Sequence, residues 1–364
     1  MSEDKELSRG RKIAFSCTAI ALFLVVLAAL GEAAVRFIMP KSDAVKLGIK
    51  LEGSARLYGL QSNHRSVQTG VVVQTNSMGF REKEYPIERR PGVRRIAVIG
   101  DSYTFGYGVE FPEIFSKRLE NELNRSAGPY EVINFGVPGY NTSVELATFR
   151  ESSAQFKPDL VIVGYVLNDT EIQDQDRSKD AAGGEGGTSI VNAAHLAVKD
   201  VSMLYRFIAP KLGALAGTLF NARYAVGGTK EIIRSFEDDA PGWVESRNAL
   251  LEIAEEARRI GAPTLVVVFP MMVDSYPLAA AHHKITAFCR KHGIAVLDLM
   301  STLEGQKVSE MVVVLDGHPN GRMHQIFADR IYQYLSHNYA PLRNELEAAQ
   351  PGVARPMPAR ASLF

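Results

Sequence analysis

The chain is poor in the residues that would give a small or metal-built protein its scaffold. Among 364 residues there are two cysteines, Cys17 and Cys289, and one tryptophan, Trp243. Two cysteines make neither a disulfide framework nor a cysteine-rich zinc site. No grouping of the eight histidines with acids or thiols has metal-ligand spacing, so no metal and no cofactor is expected. Lys and Arg number 41 against 41 Asp and Glu, and long basic runs are missing. A nucleic-acid partner is therefore not expected, because phosphate binding needs a concentrated basic face. The sequence also lacks an internal repeat. What it has is enough length to bury a full core without covalent staples.

It also has one long uncharged run. Residues 13–30 read IAFSCTAIALFLVVLAAL without a charge. As a helix at ~1.5 Å per residue the run spans ~27 Å, close to the hydrocarbon thickness of a bilayer. Lys5, Arg9, Arg11 and Lys12 precede it and favour a cytoplasmic N-terminus, although Arg36, Lys41, Lys46 and Lys50 follow. A single-pass membrane anchor over residues 13–35 is expected, with residues 1–12 cytoplasmic and the remainder exported. The alternative is a cleaved secretory signal, for which Gly31, Glu32 and Ala33 offer small residues at suitable spacing. Cys17 in lipid leaves Cys289 without a partner in the exported part, so no intrachain disulfide is expected.

Residues 36–92 read as a stem and small β lead-in. A regular alternation follows over 93–346. Short apolar runs predict strands at 95–100, 130–135, 159–165, 264–269 and 295–299. Helical spacing appears in Phe115, Leu119 and Leu123, in residues 144–156, in Leu250, Ile253, Ala254 and Ala257, and in Met323, Phe327, Ile331 and Leu335. Gly261 and Pro263 mark a helix stop. The alternation predicts a flavodoxin-like three-layer α/β/α sandwich on a parallel sheet of about five strands. Residues about 170–240 interrupt it, beginning with the polar, Gly-rich run 173–188, and are expected to add one or two helices on the sheet or a lid. Residues 347–364 are expected to be a disordered tail.

In open parallel sheets, ligands bind beyond the carboxyl ends of the strands. Gly100-Asp101-Ser102 follows the first strand, Gly136-Val-Pro-Gly139-Tyr-Asn the second and Leu167-Asn168-Asp169 the third. Asp316-Gly-His318-Pro-Asn stands just before the last helix. A serine hydroxyl becomes a useful nucleophile when a base takes its proton, and histidine serves near neutral pH. Ser102 as a simple helix cap and Asn168-Asp169 as turn residues are the plainer alternatives. Asp101 is read as a structural hydrogen-bonding residue and Trp243 as packing. His282, His283, His292 and His337 read as surface residues, His64 and His195 as residues without an evident partner, and His324 as packing or capping the last helix.

Together these four blocks make residues 95–335 resemble the SGNH (GDSL-type) hydrolase family. The resemblance implies Ser102 as nucleophile, His318 as base and Asp316 as acid. It implies an oxyanion hole from Gly139 and Asn168, which the Ser102 N–H would complete. Gly136 is the rival to Gly139, which is preferred because the match runs through Val-Pro-Gly followed by Tyr-Asn-Thr. One residue separates Asp316 from His318 where the commoner family pattern has two. Residues 76–81, Asn-Ser-Met-Gly-Phe-Arg, are similar to membrane-anchored bacterial members. The implied function is an exported serine esterase that forms an acyl-enzyme on short-chain or acetyl esters of a small molecule or cell-envelope polysaccharide. An O-acyltransferase using the same residues and a catalytically silent scaffold are the alternatives. Oligomeric state is not legible.

Overall fold

The protein is described from a computed structural model, in which residues 9–38, 48–68, 71–172, 229–273, 276–313 and 317–349 are described. The 173–188 run, most of the interruption at 170–240, His195 and the last fifteen residues of the expected tail lie outside them.

The uncharged run lies in one continuous helix, α1 (Arg9–Ile38). Leu22, Phe23, Leu24, Val25, Val26 and Leu27 are all exposed. Six consecutive residues pass more than once round a helix of ~3.6 residues per turn, so α1 is apolar on every side over this stretch. Among the described residues no helix is long and apolar enough to cross a membrane. The side chains of Ile13, Ala14, Cys17 and Ala21, within the uncharged run, lie outside the described ones.

The described residues from 48 onward form a separate compact unit. It starts with two antiparallel ribbons, β1 (Gly48–Lys50) with β2 (Tyr58–Leu60) and β3 (Arg65–Gln68) with β4 (Val71–Gln74). Tyr58, Leu60, Val73 and Phe80 bury into the main core, so this lead-in packs as part of the domain. The central sheet follows: β5 (Arg94–Gly100), β6 (Tyr130–Asn134), β7 (Leu160–Tyr165), β8 (Thr264–Val268) and β9 (Ala295–Asp298). All pairs are parallel and the order is β6-β5-β7-β8-β9. This is a three-layer α/β fold with the doubly wound order 2-1-3-4-5.

Strand alternation makes the two layers. Ala97, Ile99, Val161, Val163, Val266 and Val268 face one core, and Ile96, Val98, Ile162, Leu265 and Val267 face the other. The first face is covered by α4 (Thr142–Thr148), α5 (Pro241–Arg259) and α6 (Ala279–Lys291). The second is covered by α3 (Phe115–Ser126) and α7 (Gly321–Asn338), which α8 (Ala340–Ala349) follows. The helix expected over 144–156 is shorter: after Thr148 it loosens into a π turn, Phe149–Ser153, and a 3₁₀ turn, Ala154–Phe156.

Trp243 is buried between the rings of Phe236 and Phe288, in keeping with a packing role. His283, His292 and His337 are exposed, but the surface reading of His282 is corrected. His282 is fully buried, because it shares the inner face of α6 with Ile285 and Cys289. Its Nδ1 lies 2.7 Å from Asp298 Oδ1 and its Nε2 lies 2.7 Å from the Tyr276 hydroxyl. That chain ties the segment after β8 to the end of β9.

Candidate active site

The site grows from the carboxyl ends of the first three sheet strands. Gly100 ends β5 with no room for a side chain, since a Cβ there would lie 2.1 Å from Thr104 Oγ1. The chain then turns into the single-turn helix α2 (Ser102–Phe105). Asp101 caps it, accepting from the Tyr103 N–H at 2.9 Å. This places Ser102 at the first helical position, half-buried, with its hydroxyl at the mouth of the sheet.

The loop before α7 supplies the second group. Val312 bridges Pro319, and the Val313 N–H donates to the His318 carbonyl at 2.8 Å. Asn320 closes the loop by accepting from the Arg322 and Met323 N–H groups as the α7 cap. Closed in this way, the loop sets His318 Nε2 2.8 Å from Ser102 Oγ, although 216 positions separate the residues. The imidazole is walled by Tyr107 and Tyr103, with ring centroids 4.9 and 5.7 Å away. Asp316 lies outside the described residues.

The two rival glycines after β6 have different surroundings. The Gly136 N–H donates to Asn134 Oδ1 at 2.8 Å, and a Cβ on Gly136 would lie 2.4 Å from the Phe105 nitrogen. Gly136 is thus a packing position under α2. Gly139 is exposed, in a left-handed conformation with φ 81°, in a turn closed by the Tyr140 N–H on the Val137 carbonyl. Asn168 sits in the 3₁₀ turn Leu167–Thr170 directly after β7. Its side chain hydrogen-bonds the Asp101 carboxyl, while its Oδ1 is buried without a hydrogen-bond partner.

Three buried acids surround this point. Asp101 Oδ2 lies 3.4 Å from Ser102 Oγ, so Asp101 does more than cap. Burial pushes its carboxyl up to about 6, opposed by the Tyr103 N–H and the nearby His318. Burial holds Glu145 and Asp169 well above the usual carboxylate range, helped by repulsion from Asp101 on both and from Glu145 on Asp169. The Thr142 hydroxyl donates to Asp169 at 3.0 Å and is linked through Ser246 to Tyr165. Sequence reasoning missed Glu145, whose position on α4 carries no motif. It also placed no weight on Arg81, whose guanidinium is buried against the turn that follows α2.

His324, expected to pack or cap, accepts from the Phe115 N–H at 3.1 Å and is driven by burial down to about 3, a neutral core residue. His64 Nε2 is buried without a hydrogen-bond partner. Among the described residues no group of three or more His, Cys, Asp or Glu could hold a metal ion.

Residues 98–326 match the model of the GDSL-like Lipase/Acylhydrolase family. The search of curated proteins returned no match. Among solved structures, TesA is 16% identical, with 68% of this chain and 99% of that chain covered and a TM-score of 0.41. The psychrotrophic esterase EstA from Pseudoalteromonas sp. is 13% identical, covering 67% and 97%, with a TM-score of 0.38. A two-domain esterase active on acetylated mannans is 13% identical, covering 73% of this chain and 53% of that one, with a TM-score of 0.38.

Proposed function

Because the chain belongs to the GDSL-like lipase/acylhydrolase family and is a serine hydrolase acting on esters, we propose that Ser102 and His318 carry the reaction. The observation that carries this reading is the 2.8 Å approach of His318 Nε2 to Ser102 Oγ across the mouth of the sheet.

The ester carbonyl sits over Ser102. His318 Nε2 accepts the hydroxyl proton as Oγ attacks, and the imidazolium returns that proton to the departing alcohol. An acyl-enzyme remains. Water, deprotonated by the same nitrogen, releases the acid and restores Ser102. The tetrahedral oxyanion is met by the N–H groups of Ser102 and Gly139 and by an Asn168 N–H, three donors fixed before the charge develops. Each is worth ~2.7–4 kcal/mol of barrier. The preference for Gly139 over Gly136 is supported by the Gly136 N–H being taken up by Asn134. Asp316 is assigned to the other ring nitrogen, where a carboxylate fixes the tautomer and stabilises the imidazolium.

We place the catalytic domain on the exported side of a membrane, held by α1, as in the membrane-anchored bacterial type. The support is the uncharged run at 13–30, the basic residues before it, and the apolar exposure of α1 on every side. The substrate that follows is an acyl ester of an envelope polysaccharide or small molecule, with a short acyl group, acetyl first. The test is the purified full-length chain on acetyl, butyryl and octanoyl nitrophenyl esters beside S102A. The expected result is turnover falling with chain length and lost in S102A. Equal activity in the two proteins overturns the reading.

A further inference from the structure

The run Asn76-Ser-Met-Gly-Phe-Arg81 has no part in the mechanism above, yet it ends in a fully buried guanidinium. Asn76 Oδ1 folds the run, accepting from the Met78 and Phe80 N–H groups at 3.0 Å each. Arg81 is thereby delivered beneath the turn that follows the nucleophile. Its Nη1 donates to the Gly106 carbonyl at 2.7 Å and more weakly to Phe105 at 3.4 Å. Its Nη2 donates to the Val109 carbonyl at 2.7 Å and to Val72 at 3.1 Å. Its Cζ lies over the Phe105 ring, 5.2 Å from the ring centre. No carboxylate hydrogen-bonds this cation among the described residues, and Glu110 attracts it from a distance.

Burying a charge is costly unless it is paired or hydrogen-bonded, and here backbone carbonyls supply the bonds, so the guanidinium and those carbonyls hold one another. What the guanidinium holds is the turn 105–109. The Gly106 and Tyr107 N–H groups both donate to the Ser102 carbonyl at 3.1 Å, so this turn fixes the backbone of the nucleophile. Tyr107 in the same turn is the ring packed on His318. Three carbonyls of one tight turn are thus gathered by one planar fork, and both partners of the 2.8 Å contact depend on that turn.

We infer that Arg81 is a positioning residue for the reaction, fixing Ser102 and the Tyr107 wall of His318 through the carbonyls of Phe105, Gly106 and Val109. The inference rests on the reading of Ser102 as nucleophile. Lysine keeps the charge at this place but lacks the planar fork, so it cannot hold the carbonyls together. Arg95 provides a matched control. It is equally buried, donating to the Pro86 and Ile87 carbonyls at 2.7 Å each and pairing with Glu131, at the opposite end of the strands.

The experiment compares the full-length wild type, S102A, R81K and R95K for the rate at which a fluorophosphonate probe labels the nucleophile. Each rate is divided by the folded fraction of the same sample, read from near-UV circular dichroism. Nitrophenyl acetate kinetics are measured in parallel. Misplacement of reacting groups by ~1 Å costs ~100-fold. R81K is therefore expected to label about 100-fold more slowly per folded molecule and to lose kcat with KM nearly unchanged, while R95K labels at the wild-type rate. Wild-type labelling in folded R81K overturns the inference, as does complete loss of fold in R81K when R95K folds. Absence of labelling in the wild type, or labelling of S102A, instead overturns the assignment of Ser102, and the inference falls with it.

Discussion

Asp101 is a buried carboxyl whose surroundings make stability depend on pH. Its carboxyl rises from 3.8 to about 6 through burial. Between those values the folded protein holds a proton that the unfolded chain has released. Stability therefore falls as pH rises across this window, and the cost is fully present above about pH 6. Asn caps a helix as well as Asp. D101N is thus expected to flatten the decline in melting temperature between pH 4 and 6 and to melt above the wild type at pH 8. Thermal melts of both proteins across that range check it, and an unchanged slope would assign the decline to Glu145 and Asp169. The Asp101 cap was legible as a structural role. Its contact with Ser102 was not, because nothing in a Gly-Asp-Ser triplet reports how deeply the carboxyl is buried.

At the scale of elements, the strands were the most legible part, since unbroken apolar runs between Gly and Pro leave little choice but a buried parallel sheet. The strands at 130, 264 and 295 begin where expected, and those near 94 and 160 shift by one residue. The helix after Gly139 was overestimated because apolar spacing continues through Phe149 and Phe156 while the backbone widens into a π turn. His282 was misplaced because a polar name outweighed its position beside Ile285 and Cys289. The fit between elements was wholly illegible, and the glycines carry it. Alanine at Gly136 would drive a Cβ into the backbone of α2 at 2.4 Å. Such overpacking costs ~1–3 kcal/mol. Alanine at Gly139 instead pays for φ 81°, ~1–2 kcal/mol, and meets only the Tyr58 hydroxyl. Urea unfolding is expected to show the larger loss for G136A. Esterase rates per folded molecule are expected to show the larger loss for G139A, and the reverse order would return the oxyanion role to Gly136.

For the whole molecule, the proposed anchoring by α1 would divide one chain between two physical environments. Two arginines at the centre of a spanning helix cost ~2.5–3.5 kcal/mol each. The full-length protein is expected to stay in the membrane pellet through alkaline carbonate and to leave it in detergent, whereas L24R/V25R is expected in the carbonate supernatant. A wild type that carbonate releases would show that α1 lies on the membrane or apart from it. Balanced charge and scarce cysteine narrowed the partners at this scale. The acyl group and the alcohol were not legible, since they depend on which side chains converge over Ser102.

The separation of Ser102 from His318 also bears on the timing of biosynthesis. The nucleophile, the turn that carries it and the Arg81 clamp are all complete in the first third of the chain. The base comes 216 residues later, on the loop before α7, a helix that shares its core with α3. A growing chain therefore carries Ser102 without His318 for most of its synthesis, and a product truncated before His318 has the serine without that proton acceptor. Reactivity toward a phosphonate probe can thus serve as a stopwatch for synthesis, switching on when His318 is in place beside Ser102.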